Sequence, residues 1–310
     1  MNIYNSISEF TPSKKTIVTL GTFDGVHIGH RRIIEKLISS TENGTYESLI
    51  LTFFPHPRMI LQEDSEIKLL NTIEEKCALL AQVGLNNLVI HPFDKDFSRL
   101  TDEDFVKKVL VERFNIHKII IGHDHRFGRN RTATIDDLII YGKQYGFEVE
   151  QISAQEINEV TVSSTKIRNA ILDGAMDLAN AYLECPYPIS GKVIKGKQLG
   201  RTIGYPTANL TIVEDFKLIP KNGVYVVKSI LGNEVIYGMM NIGYNPTVGG
   251  EKQSIEVHFF DLNADLYDQS LKILILHRLR SEQKFKNVAL LKTQLAKDEC
   301  DSRAYLANYK

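Results

Sequence analysis

The feature that most constrains this chain is an alternation. Between residues 16 and 146, short apolar runs are each followed by a stretch with helical spacing. The pairs are TIVTL then HRRIIEKLISS, LILTF then NTIEEKCALLAQVG, NLVIHPF then DEDFVKKVLVERF, and KIIIG then IDDLIIYGKQYG. Short apolar runs suit strands buried on both faces, and the helical stretches supply the crossovers that a parallel sheet needs. The first half therefore predicts a doubly wound α/β domain. Near residue 186 the pattern changes. After CPYPIS come GVYVVKSI, EVIYGMMNIG, SIEVHFFDL and LKILILHRL, close together with turn residues between them, then a helical tail from about Asn287. That spacing predicts a small antiparallel β-barrel closed by a C-terminal helix. The expected domains are 1–185 and 186–310, with Pro186 and Pro188 marking the linker.

Composition narrows the function classes. A chain of 310 residues with 43% hydrophobic content can bury two cores. A formal net charge of -1 provides no global basic field for nucleic acid or an anionic membrane, so the expected partners are small molecules. Cys77, Cys185 and Cys300 are widely spaced and fit neither a disulfide framework nor a paired zinc pattern. The N-terminal MNIYNSISEFTPSKK lacks the apolar core of a secretion signal, and no run approaches the roughly 18 residues of a membrane helix. The expectation is a cytoplasmic protein, monomeric or weakly oligomeric.

GTFDGVHIGH, Gly21 to His30, follows the TIVTL strand directly. Ligands of open α/β sheets bind beyond the carboxyl ends of the strands, where this stretch lies. Gly21 and Gly25 let backbone approach a phosphate, and a helix starting near Ile28 offers unpaired amides and the positive end of its dipole. His27 and His30 add hydrogen-bond donors without the fixed charge of lysine. One histidine here would read as a structural hydrogen-bonder. Two, with the glycines and the strand-to-helix context, point to phosphate. In SSTKIR, 163–168, Ser163 or Ser164 suits an N-cap, which puts Thr165, Lys166 and Arg168 in or near a first helical turn. Taken alone, that stretch is an ordinary cap with solvated charges; beside the histidine loop it suits a triphosphate.

GxFDGxHxGH resembles the HxGH signature of nucleotidyltransferases, which bind ATP or CTP and transfer a nucleotidyl group to a phosphate with release of pyrophosphate. The motif alone does not choose a substrate. With TFFPHP at 52–57, GHDHRFG at 122–128 and SSTKIR, the first domain resembles the adenylyltransferase half of the bacterial bifunctional riboflavin kinase and FAD synthetase family. The resemblance implies a nucleotidyltransferase-type fold that holds ATP with Gly21, Phe23, Asp24, Gly25, His27, His30, Ser164, Thr165 and Arg168, His27 and His30 being catalytic. It implies flavin contacts from His56, Pro57, Asp124 and Phe127, the last packing on the ring. A zinc site at His123, Asp124 and His125 is disfavoured, because neighbours in extended chain alternate faces and no cysteine cluster completes the shell. The prolines of TFFPHP equally suit a structural turn, and HPFDKDF carries no assigned chemistry.

GKVIKGKQ, 191–198, nearly matches the phosphate-binding loop GxxxxGK[ST], but Gln198 replaces the magnesium-binding hydroxyl and no helix is expected after it, so that reading is set aside. GKVIKGKQLGRTIGYPTANL, 191–210, instead resembles the opening of riboflavin kinases. That resemblance implies ATP binding by Gly191, Lys197, Gly200, Thr207 and Asn209, with Mg²⁺ at Thr207 and Asn209, and Glu256 of SIEVHFFDL as the catalytic carboxylate. Two residues apart in a strand-like segment, Thr207 and Asn209 point the same way, and both are hard oxygen donors. Without the resemblance, Glu256 is the polar member of an alternating strand. PKNGVY, NIGYNPTVGG and LRSEQKF extend the match. The chain departs from the family pattern at Phe54, where an acidic residue is common, and at Ala133 and Thr134, where Gly and Asp are usual.

The sequence thus predicts an enzyme that phosphorylates riboflavin to FMN with ATP and joins FMN to AMP to give FAD, using Mg²⁺. One alternative is a riboflavin kinase whose first domain only binds nucleotide or flavin. Another is a nucleotidyltransferase for a different phosphorylated substrate.

Overall fold

The computed structural model describes all residues except 63–65, 123–125, 130–131, 154–161, 197–198, 248–249 and 310; the side chains of 199, 245–247 and 250–252 also lie outside the description. The chain forms two compact units, Met1–Leu69 with Ile73–Ser163 and Leu70–Thr72 with Ser164–Lys310.

In the first unit, β1 (Asn2–Tyr4), β2 (Thr16–Leu20), β3 (Glu47–Phe53), β4 (Asn87–His91), β5 (Ile116–Gly122) and β6 (Glu148–Ile152) form one parallel sheet in the order β1-β4-β3-β2-β5-β6. The helices are α1 (Ile28–Ser39), a single turn α2 (Pro57–Leu61), α3 (Ile73–Gln82), α4 (Asp102–Asp104, continuing through Phe105–Arg113) and α5 (Ile135–Tyr145). All five residues of β2 are buried, as an apolar run between two helical layers requires. Val18, Leu49, Leu51, Val89, Ile119 and Ile121 pack with Phe105, Val109 and Phe114 in the core, each burial contributing about 1.5–3 kcal/mol. The strand order reverses between β2 and β5. GTFDGVHIGH leaves β2 and the 122–128 stretch leaves β5, so both loops start from the two strands that flank the ligand-binding crevice of such a sheet.

The second unit contains α6 (Ser164–Asp173), α7 (Met176–Leu183), β7 (Tyr187–Ile194), α8 (Leu199–Thr202), β8 (Ala208–Thr211), β9 (Gly223–Leu231), β10 (Glu234–Thr247), β11 (Gly250–Phe259), β12 (Ser270–Arg280) and α9 (Val288–Ala307). Its strands close an antiparallel barrel in the order β10-β11-β8-β7-β12-β9. The expected barrel with its C-terminal helix is what forms, and Asn287 caps that helix by accepting from the Leu290 amide at 2.9 Å.

Two local expectations are corrected. Pro186 and Pro188 are not a linker, because β7 begins at Tyr187 and Pro188 lies opposite Leu274 of β12. β8 pairs only with Lys192–Ile194, which leaves β7 unpaired on that side at Pro188, and a residue without an N–H is tolerated there. A helix does follow the 191–198 loop, the four-residue α8. A single turn presents no aligned helical dipole, so the phosphate-loop reading stays excluded by Gln198 and by the barrel context.

Candidate active sites

The end of β2 is held to the sheet by Gly21 N–H donating to the Leu51 carbonyl at 3.1 Å. The chain then turns through left-handed conformations at Phe23 (φ 45°), Gly25 (φ 90°) and Val26 (φ 43°). Glycine adopts this region freely, whereas each non-glycine costs about 1–2 kcal/mol. The turn is pinned by the Thr22 carbonyl, which accepts from Lys76 Nζ at 2.7 Å and Thr52 Oγ1 at 3.2 Å.

The turn delivers His27 to the N-cap of α1, where its Nδ1 accepts from the His30 amide at 3.4 Å. That bond places the ring proton on Nε2, leaving Nε2–H to donate to a ligand. The two imidazoles stack with centroids 3.6 Å apart and planes 19° apart, and the Phe23 ring meets His30 edge-on at 5.2 Å. His30 Nδ1 is buried with no partner among the described residues. Such an atom is costly unless a ligand completes it. Burial lowers the His27 pKa to about 4, partly opposed by the Asp24 charge. Burial also holds His30 well below its ordinary value, and His27 and Lys76 push it further down. Both rings are therefore neutral at neutral pH.

Asp24, at 2% exposure, lies within the same turn. Lys76, at 4% exposure, was not singled out from the sequence. It lies on the buried face of α3 with Glu75, Leu79 and Leu80.

The remaining first-domain positions are less clustered. α6 begins at Ser164, so Ser164 and Thr165 occupy its first turn and Arg168 its second; by its contacts α6 belongs to the second unit. His56 is buried and N-caps α2 by accepting from the Arg58 amide at 3.1 Å, with Pro57 at the first helical position. Phe127, at 7% exposure, packs on Phe105, with ring centroids 6.1 Å apart, which leaves little of its face for a ligand. Asp124 lies outside the described residues.

In the barrel, Asn209 of β8 stands directly opposite Glu256 of β11. Thr207, just before β8, donates its hydroxyl to Glu256 Oε2 at 3.2 Å. A hydroxyl that donates to a carboxylate keeps its oxygen lone pairs for a cation, and with the Asn209 side-chain carbonyl it offers hard oxygens of the kind Mg²⁺ prefers. Gly196 lies so close to Asn209 that a side chain there would collide with its amide. The chain at Gly196 therefore passes directly against Asn209, which explains the glycine at that position. Gly191 packs against the backbone of β8, where an added Cβ would meet the Thr211 carbonyl at 2.7 Å. Gly200 is closed in by the Tyr205 carbonyl. Lys197 lies outside the described residues.

Beside Thr207 a cavity of about 270 Å³ is lined by Arg201, Val193, Asp265 and Tyr267 among others. On the neighbouring strand β10, Asn241 stands opposite Glu256 on its other side, so the carboxylate is flanked by two asparagines. Glu282 of LRSEQKF accepts from the Tyr244 amide at 3.2 Å and from Asn222 at 3.1 Å, which ties that segment to β10.

Comparison with known proteins agrees with both halves. Residues 10–166 match the FAD synthetase family model and residues 183–306 match the riboflavin kinase model. The bifunctional riboflavin kinase/FMN adenylyltransferase of Escherichia coli K12 is 34% identical over 95% of this chain and 94% of its own. That of Listeria monocytogenes is 37% identical over 96% of this chain and 95% of its own. A Streptococcus pneumoniae crystal structure described as a macrolide-efflux protein covers 97% of this chain and 98% of its own, with a TM-score of 0.88 and 31% identity. Both domain models match in order, and the relatives align over nearly the whole length: the chain belongs to the bifunctional riboflavin kinase/FMN adenylyltransferase family.

Proposed function

We propose that this enzyme carries out its two reactions at separate sites: adenylylation of FMN by ATP, releasing pyrophosphate, within residues 1–185, and phosphorylation of riboflavin by ATP within residues 186–310. The family matches at 10–166 and 183–306 support that division. The observation that carries the first assignment is the stacked, neutral histidine pair with a buried, unpartnered His30 Nδ1 beyond the carboxyl end of β2. An FMN phosphate oxygen attacks the α-phosphorus of ATP and the bond to pyrophosphate breaks. His27 and His30 donate to the oxygens that gain charge, in a site where fixed donors need no reorganisation. Gly21, Phe23, Asp24 and Gly25 shape the phosphate turn. Ser164, Thr165 and Arg168 are assigned to the triphosphate, and His56, Pro57 and Asp124 to the flavin, with Phe127, packed against Phe105, assigned to the wall of that site rather than to stacking on the ring.

In the kinase, Glu256 takes the proton of riboflavin's terminal ribityl hydroxyl as that oxygen attacks the γ-phosphorus and ADP departs. Thr207 and Asn209 would hold Mg²⁺, which neutralises phosphate charge when bound, while Gly191, Lys197 and Gly200 form the loop over the nucleotide. The proposal includes a cytoplasmic monomer or weak oligomer working on small molecules. Among the described residues no helix is long and apolar enough to cross a membrane, and Cys77, Cys185 and Cys300 form no disulfide. Incubating the purified chain with riboflavin, ATP and Mg²⁺ and resolving the flavins should give FMN first and FAD later, and EDTA should stop both. FAD formation that persists in EDTA, or FMN as the sole product, contradicts the proposal.

A further inference from the structure

We propose that Lys76 is a positioning residue of the adenylyl-transfer site, whose buried ammonium fixes the Thr22 carbonyl and through it the turn that presents His27 and His30. The inference rests on the assignment of that histidine pair to adenylyl transfer. Lys76 comes from α3, a different element from the turn it holds, and its Nζ reaches Thr22 O at 2.7 Å. Burying an ammonium is expensive, and helix packing alone would be served better by leucine or methionine. The turn needs such a tether. Phe23 and Val26 both hold left-handed backbone, a strain that persists only where surroundings over-determine it. Thr52 from β3 is the second donor to the same carbonyl, so α3 and the sheet grip the turn from two sides.

The charge has a second effect. The groups that act electrostatically on Lys76 and its neighbours are Asp24 in the turn, His27 and His30 around α1, and Cys77 and Glu74 on its own helix. Burial is the main reason His30 is neutral, and the Lys76 ammonium, itself held below its ordinary pKa by burial, adds to this by disfavouring the imidazolium. Lys76 therefore does two things for the histidine pair: it sets where the rings sit and it reinforces the burial that holds the proton off His30.

The test compares Lys76→Met, which keeps shape and loses the charge, with Lys76→Arg in the full chain. FMN adenylylation and riboflavin phosphorylation are measured on each preparation across pH, with His30→Ala as control. The expected result for Lys76→Met is an adenylylation kcat lower by roughly 10- to 100-fold, the loss typical of a misplaced catalytic group. The acid limb of its pH profile should move to higher pH, because His30 then protonates more easily, and riboflavin phosphorylation should stay within about two-fold of wild type. Lys76→Arg should keep the limb at its wild-type position. Wild-type kcat with an unmoved limb in Lys76→Met overturns the inference, even where His30→Ala abolishes FAD formation. A lower kcat with an unmoved limb overturns the charge role. If Lys76→Met does not fold, Lys76→Arg decides: an acid limb displaced upward despite the retained charge overturns the inference. FAD formation that survives in His30→Ala overturns the underlying site assignment together with it.

Discussion

His27 is neutral because it is buried, at 5% exposure, and that neutrality ties stability to pH. Its pKa is about 4 in the folded chain against an unfolded value of 6.5. Between those values the unfolded chain binds a proton that the folded chain refuses. The stabilisation is therefore fully present above pH 6.5 and is lost as pH falls toward 4, by about 3 kcal/mol for this one group. His30 acts in the same direction. Urea unfolding followed by circular dichroism at pH 7 and pH 4.5 should show a larger loss for wild type than for His27→Asn; equal losses contradict the burial argument. In the barrel, Thr207→Val removes the hydroxyl that bonds Glu256. It should raise the Mg²⁺ concentration needed for half-maximal kinase activity roughly 10- to 100-fold, with FMN adenylylation unaffected. At this scale the histidines, Thr207 and Asn209 stood out by their spacing, whereas Glu256 stood out only through the family resemblance. Lys76 was not, because a lysine in a helix normally reads as solvated, and only packing reveals that this one faces inward.

Strands and helices were legible where the apolar period was strong, as in β2 through β5 and β9 through β12. Among those that escaped notice are β7, whose prolines read as a linker, α7, and two edge strands. β1 (NIY) and β6 (EVEQI) lie at the two sheet edges, where one side is open and an apolar run is not required. The departure at Thr134 has a local explanation: Thr134 and Asp137 form a capping box for α5, with Thr134 N–H and Oγ1 donating to Asp137 Oδ2 at 2.8 and 3.0 Å. The C-terminal helix was expected from its sequence, but its anchor was not. Arg280 at the end of β12 makes a two-pronged ion pair with Asp298 of α9, at 2.8 and 2.6 Å, and Asp298 is 1% exposed. Gln294 also donates to the same carboxylate at 2.8 Å. Removing one member of such a pair leaves an uncompensated buried charge, so Asp298→Ala should destabilise the barrel by about 3–5 kcal/mol. Thermal unfolding with the kinase reaction as readout checks this; an unchanged Tm would show that α9 is held by its apolar contacts alone.

Over the whole molecule, the two reactions call on different chemistry, and the fold gives each its own scaffold. A parallel sheet offers a crevice at the strand ends, suited to a long dinucleotide product, while a closed barrel aligns Asn209, Glu256 and Asn241 across neighbouring strands. The strand classes could be read from the sequence. The reversal between β2 and β5, which identifies the crevice, could not, since strand order depends on long-range pairing. With the two sites proposed to be chemically independent, a crossed pair of variants separates them, with flavin products resolved for each. His30→Ala should make FMN from riboflavin at the wild-type rate and no FAD. Glu256→Gln should convert supplied FMN to FAD at the wild-type rate while its kinase kcat falls roughly 10²- to 10⁴-fold. Loss of both activities in either variant, with unfolding behaviour like wild type, would contradict the two-site account.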